Sequence, residues 1–345
     1  MAERVVVHVG LMKSGTSFIQ QVLHHNRRAL RSHGVLFPSP WRRQVQAVRD
    51  VIAHGDGEQQ PPLAEDGPWR SLMADIDAWP GTVVLSMEFL GPRGPGKARQ
   101  ILADLAPARV EVVISVRDLA RTIPAMWQEQ VQNQGTRTWA DYLTGVRDED
   151  RTSRGPGRSF WFRQDAPRIT RVWQDAAGRE NVALVTVPPP GAPPSVLWER
   201  FASVLGIDST DIDLEVPSNP SLGLAALLVL RQLNERLAAR EKPLDPGQYE
   251  RVVKQLLAKR GLANRAGDTR LGYRADWVAA RGDQDIERLR LLGPRVVGDL
   301  EDLRCTPVEG REPDEVEADQ QLEAALDGLE FLVDQLTQRR AARQR

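Results

Sequence analysis

The sequence predicts an α/β protein. It reads as a parallel sheet of about four to five strands flanked by helices, of the phosphate-loop nucleotide-binding kind, with a mostly helical C-terminal portion. Three observations carry this. The β-branched run Arg4-Val5-Val6-Val7-His8-Val9 reads as a buried strand. It leads directly into Gly10, Lys13, Ser14, Gly15, Thr16 and Ser17, and then into the helical pattern Phe18-Ile19-Gln20-Gln21-Val22-Leu23. Further apolar runs at 83–85, 110–116 and 181–187 are each followed by a helical pattern, whereas the chain beyond 211 is dominated by helical periodicity.

Strand, tight Gly/Ser/Thr loop and helix make an anion cradle. The backbone N–H groups of the loop and of the first helical turn converge on one spot, and the helix dipole favours negative charge there. The loop is not a Walker A motif, in which the lysine follows the last glycine; here Lys13 precedes Gly15 by two residues. The segment Lys13-Ser14-Gly15-Thr16-Ser17 resembles instead the 5′-phosphosulfate loop of sulfotransferases that use 3′-phosphoadenosine 5′-phosphosulfate (PAPS), which has the form K-[SA]-G-[ST]-[ST] after the first strand.

Composition narrows the classes. The 345 residues carry a formal net charge of −1, so bulk electrostatics gives no case for nucleic acid or anionic membrane, and any anion site is local. The apolar fraction of 41% is ample for a core. Cys305 is the single cysteine, which excludes an intramolecular disulfide and a cysteine-based metal cluster. The N-terminal apolar run is too short for a secretory signal, and no run reaches the roughly 18 apolar residues of a membrane span. A soluble cytoplasmic protein is the expectation.

In chain order, residues 16–31 read as the helix after the loop, with His24 and His25 as surface or packing residues. Gly34-Val35-Leu36-Phe37-Pro38 ends it and starts a short extended piece. A helix over 43–53 precedes a polar, Gly/Pro-bearing loop over 54–67, either a lid or a plain surface loop. A helix over 68–79 leads to the strand Val83-Val84-Leu85, which ends in Ser86-Met87-Glu88. This Ser-x-Glu resembles the end of the corresponding strand in bacterial sulfotransferases. A carboxylate there lies where open α/β sheets bind ligands. Glu88 is then a base for the acceptor hydroxyl, or a structural carboxylate that caps a helix or pairs with an arginine.

After a helix over 94–106, the strand from Val110 runs into Arg117-Asp118. The resemblance implies that Arg117 grips the 3′-phosphate of the donor, for which a planar guanidinium is suited; a surface pair with Asp118 is the other reading. Animal members place a serine eight residues later on the same phosphate, and this chain has Ala125. Arg121, Thr122 or Gln128 are the candidates to replace it. Pro124 is expected to break or kink the helix that carries them. Pro124-Ala125-Met126-Trp127-Gln128 looks like a subgroup of actinobacterial sulfotransferases. Trp139–Leu143 reads as a short helix, 147–159 as an exposed loop, and Phe160-Trp161-Phe162 as the start of a helix through 176, its aromatics lining an acceptor pocket or packing in the core. The strand from Asn181 to Val187, a proline-rich loop and the helix Val196–Leu205 with a Gly206 stop complete the resemblance, which spans about residues 4–210.

We therefore expect a PAPS-binding core over 1–210 and a helical extension over 211–345 packed on it as one structural domain. Helices are expected at 221–239, 246–260, 273–292 and 316–338, with a short extended piece near Val296–Leu300, and with neither an internal repeat nor a heptad run. Arg265–Arg270 is a possible analogue of the cofactor-closing loop of animal members. The resemblance implies that Lys13 sits at the bridging oxygen and that the amides of Ser14, Gly15, Thr16 and Ser17, with the hydroxyls of Thr16 and Ser17, hold the 5′-phosphate. Phe18 then stacks on adenine, Arg117 grips the 3′-phosphate, with Arg121 as this chain's own candidate for a second contact, and Glu88 takes the acceptor proton. The product would be adenosine 3′,5′-bisphosphate, no metal is expected, and the acceptor would be a small molecule or carbohydrate. A P-loop kinase using ATP and Mg²⁺, an inactive nucleotide-binding protein, and a structural role for the C-terminal helices are the alternatives.

Overall fold

The computed structural model describes residues 1–53, 63–149, 152, 155–217, 221–263, 265 and 268–343. Its centre is one six-stranded, all-parallel sheet. The strands are β1 (Arg4–His8), β2 (Val35–Leu36), β3 (Thr82–Ser86), β4 (Arg109–Val116), β5 (Val182–Thr186) and β6 (Arg295–Val297), in the order β2-β3-β1-β4-β5-β6. The four longer strands fall where the apolar runs predict them. The two short edge strands, β2 and β6, raise the number from the expected four to five; they form where the sequence showed only extended pieces.

Side-chain alternation divides the sheet into two faces. Val5, Val7, Leu85, Ile114 and Leu184 face one layer, covered by helices that supply Val48, Leu72, Ile101, Trp173 and Leu289. Val6, Val84, Val113 and Val185 face the other, covered by the helix α1 (Thr16–His25) and by Trp198 and Phe201 of the helix Pro194–Leu205. Helices on both faces are what an all-parallel sheet requires.

The chain packs as two units. One comprises Met1–Leu119, Phe160–Pro217 and Ala279–Arg304 and holds the whole sheet; the other comprises Ala120–Ser159, Ser218–Val278 and Cys305–Arg345. The second unit is helical, with Leu224–Ala238 and Ala318–Arg343 as long members. Its centre includes an aromatic group in which Trp139 meets Trp127, Tyr142 and Tyr273, with ring centroids 5.3, 5.8 and 5.2 Å apart. Beside it, buried Asn234 donates to the carbonyls of Val131 (2.7 Å) and Gly135 (3.0 Å) and accepts from the Tyr249 hydroxyl at 2.6 Å.

Several helices differ from expectation for identifiable reasons. The helix over 16–31 is interrupted at Asn26, whose side-chain amide donates to the Val22 carbonyl (2.9 Å) and to the Asp213 carbonyl (2.7 Å), tying a later segment to the end of α1. The helix from 160 to 176 is two helices, Pro156–Gln164 and Ala166–Ala177; Asp165 caps the second by accepting from the Arg168 amide at 3.1 Å. Pro124 does not break its helix, which runs from Leu119 to Gln132; the bond lost at a proline lies early and the later turns propagate. The helix over 246–260 begins as one α-turn, Pro246–Tyr249, and continues as a wider π-helix, Glu250–Leu262. Gly206 stops its helix in the left-handed region, φ 73°, as the sequence indicates. Of the loop over 54–67, residues 54–62 lie outside the described residues, and Leu63 is buried. No helix among the described residues is long and apolar enough to cross a membrane.

Candidate anion-binding site

The loop after β1 has an unusual backbone. Lys13 is left-handed at φ 67° and Gly15 at φ 79°. Alternating right- and left-handed residues turn successive N–H groups toward one concavity, and the first amides of α1 have no partner within the helix. A lysine in this region costs about 1–2 kcal/mol, so the loop is held from beneath. Gly10 is part of that support: a Cβ there would stand 2.4 Å from Ser115 Oγ and 2.7 Å from Thr16 Cγ2.

The support is a buried polar row on the α1 face of the sheet. The Ser14 hydroxyl donates to the Leu11 carbonyl and lies 2.7 Å from Ser115 Oγ. Ser115 Oγ lies 3.0 Å from His8 Nε2, and His8 Nδ1 lies 2.8 Å from Ser86 Oγ. All four residues are buried. The row follows from register: His8 pairs with Ser86 across β1 and β3, and Ser115 lies on the same face of β4. Burial pushes the His8 imidazole down to about 3. It is therefore neutral, with one nitrogen donating to a serine and the other accepting. The Phe201 ring, 5.0 Å from the imidazole, closes the far side.

Three candidate residues stand beyond the carboxyl ends of adjacent strands: Glu88 after β3, Lys13 after β1 and Arg117 after β4. This is the edge at which open α/β sheets take ligands. Arg117 donates to the Lys13 carbonyl at 3.1 Å, fixing the lysine's peptide. Gln164 donates to the Met12 carbonyl at 3.0 Å from the other side of the loop. Glu88 is half-buried and accepts from the Gln20 amide at 3.1 Å; the same amide reaches the Ser86 carbonyl at 3.3 Å.

The remaining candidates divide. Thr16 is buried, Ser17 is exposed, and Phe18 is half-buried against the cluster under α1. The Ser14 amide is directed to the Leu11 carbonyl (3.3 Å), so Ser14 braces the turn with both its polar groups. Arg121 stands on the helix Leu119–Gln132 within the second packing unit, as do Thr122, Ala125 and Gln128. Phe160 and Trp161 are core residues, whereas Phe162 is exposed with the guanidinium carbons of Arg93, Arg163 and Arg168 within 5.9 Å of its ring centroid. In the segment 265–270, Arg265 bonds Asp268 and Asp327, and Asp268 accepts from the amides of Ala225 and Ala226; Ala266 and Gly267 lie outside the described residues. Sequence reasoning passed over His8, Ser115, Gln20 and Gln164. The signal for the first was a histidine inside an otherwise valine run. Among the described residues, no group of three or more His, Cys, Asp or Glu side chains is placed to hold a metal ion.

Comparison with known proteins adds a distant likeness. No family model matches the chain, and no curated protein matches it. Among solved structures, the chain is similar to the crystal structure of a sulfotransferase from Alicyclobacillus acidocaldarius, at 16% identity and a TM-score of 0.42, covering 64% of this chain and 87% of that one.

Proposed function

We propose that this protein is a sulfotransferase that moves the sulfuryl group of PAPS to a hydroxyl or amine of a small-molecule or carbohydrate acceptor. The observation that carries the reading is the loop: Lys13 and Gly15 both left-handed at the start of a helix, with the Lys13 peptide fixed by Arg117. That donor set suits a phosphosulfate, because it offers backbone amides, one ammonium and one guanidinium, and no carboxylate on the cradle itself. The amides of Gly15, Thr16 and Ser17 with the hydroxyls of Thr16 and Ser17 would hold the 5′-phosphate. Phe18 would take the adenine and Arg117 the 3′-phosphate. The donor, when bound, supplies an activated sulfate ester.

The chain's own residues do the rest by position and charge. Sulfuryl transfer is like phosphoryl transfer in spreading charge over peripheral and leaving oxygens, so fixed positive groups contribute most. The Lys13 ammonium would neutralise the oxygen that leaves. Glu88, oriented by Gln20, would take the proton of the attacking hydroxyl. The order of the Lys13 and Gly15 positions sets the loop apart from a Walker A kinase.

A thermal-shift comparison of adenosine 3′,5′-bisphosphate with ATP–Mg²⁺ tests the reading. The bisphosphate at about 100 times its dissociation constant should add about 2.7 kcal/mol. Stabilisation by ATP–Mg²⁺ and not by the bisphosphate would assign the loop to phosphoryl chemistry instead. Release of the bisphosphate from PAPS in the presence of an acceptor then tests turnover.

A further inference from the structure

The helix Ala318–Arg343 carries two apolar stripes, and its own chain covers one of them. On the inner stripe Ala324 and Gly328 are buried. Phe331 lies so close to Gly261 that a Cβ there would come within 2.7 Å of its ring, and a Cβ on Gly328 would stand 3.1 Å from Leu262 and 3.2 Å from Leu257. The outer stripe is Leu322, Leu326, Leu329, Val333 and Leu336, each between 54% and 62% exposed.

The spacing of the outer stripe is four, three, four, three. That averages 3.5 residues, the seam period of a two-stranded coiled coil. At about 100° per residue the five side chains fall within an arc of about 80°, a narrow seam and not a broad amphipathic face. Scattered exposed leucines are ordinary on a soluble protein; five in register over four turns are not.

We propose that this seam is a self-association surface and that its occupant is a second copy of the same helix. The repeat is self-complementary, as an isologous two-fold contact requires. Each of the five side chains is more than half exposed, so pairing two stripes would remove apolar surface along four turns of both helices. The charged residues along the seam, 317–336, are all acidic (Glu317, Asp319, Glu323, Asp327, Glu330 and Asp334), and the helix's arginines, Arg339, Arg340 and Arg343, come only after its last leucine; interfacial helices are basic along their polar face, which disfavours a lipid surface here. Glu323 and Glu330 flank one side of the seam, and Ala325 and Leu332 lie toward the other, so two copies meet without like charges opposed across every layer.

Sedimentation equilibrium or light scattering of the full chain decides the matter. The wild type should show twice the 38.5 kDa of one chain at micromolar concentration. The double variant Leu326→Glu/Leu329→Glu should show the single mass, with an unchanged far-UV circular dichroism spectrum. If the charged pair fails to fold, Leu329→Gln is read in the same way against wild type. A wild type that remains at the single mass up to about 100 μM overturns the proposal, as does a doubly charged variant that stays dimeric. A single-mass wild type that floats with phosphatidylcholine–phosphatidylserine vesicles overturns it in favour of a lipid surface.

Discussion

The end of β1 and the C-terminal helical unit are stabilised by different chemistry. Beneath the loop, His8, Ser14, Ser86 and Ser115 form a buried polar row, and two left-handed residues lie above it. In the helical unit, aromatic and aliphatic side chains pack beside the buried amide of Asn234, and Ala318–Arg343 is apolar on both an inner and an outer stripe. The first arrangement is sensitive to protonation and to backbone conformation. The second is sensitive to volume and to unpaired polar groups. Polar support fixes a loop in a shape that apolar contacts, being non-directional, do not specify.

The largest effect concerns the imidazole. Its folded value lies at about 3 against 6.5 for the free side chain. The contribution of neutral His8 to stability is therefore fully present above pH 6.5 and is lost as pH falls from 6.5 toward 3, by up to about 5 kcal/mol. Urea denaturation at intervals across that range should show the slope, and His8→Gln should flatten it. An unchanged slope in the variant would show that other groups drive acid unfolding.

Lys13 comes next. In the proposed reaction, Lys13→Ala should lower sulfuryl transfer about 10²–10³-fold, or about 3–4 kcal/mol in the barrier. Lys13→Gly should lose transfer as severely yet unfold about 1 kcal/mol harder, because glycine accepts φ 67° without strain. Assays of rate and of melting on the two variants separate the ammonium from the backbone.

Asn234→Ala probes the other region. It removes the donor to the Val131 and Gly135 carbonyls and the acceptor of the Tyr249 hydroxyl, at a cost of about 2–3 kcal/mol. Chemical denaturation should show the loss while the affinity for adenosine 3′,5′-bisphosphate is unchanged. The smallest effect is expected for Gln20→Leu. Losing one bond to the Glu88 carboxylate should slow transfer about 5–10-fold, near 1 kcal/mol, with the nucleotide affinity retained.

What was legible in the sequence was what neighbouring residues dictate. Val5-Val6-Val7 had to be a buried strand, and Lys13-Ser14-Gly15-Thr16 had to be a tight turn before a helix. What was not legible depended on partners far along the chain. His8 reads as one more strand residue until the strand order brings Ser86 and Ser115 beside it. Asn26 reads as helical until the Asp213 segment docks on its amide. The seam at Leu322–Leu336 was hidden by its own neighbour: Ala324, Gly328, Phe331 and Leu332 fill the gaps in the pattern, and only the fold separates the covered stripe from the exposed one.

Gln20 gives the arrangement a further property. Its one amide group spans the strand-end carbonyl of Ser86 and the carboxylate of Glu88, and it belongs to α1, whose first turn rims the candidate site. The first turn of α1 and the amide that orients the carboxylate thus share one helix. A tilt of that helix would move the amide against a carboxylate anchored on another segment, and so change the direction in which Glu88 is held.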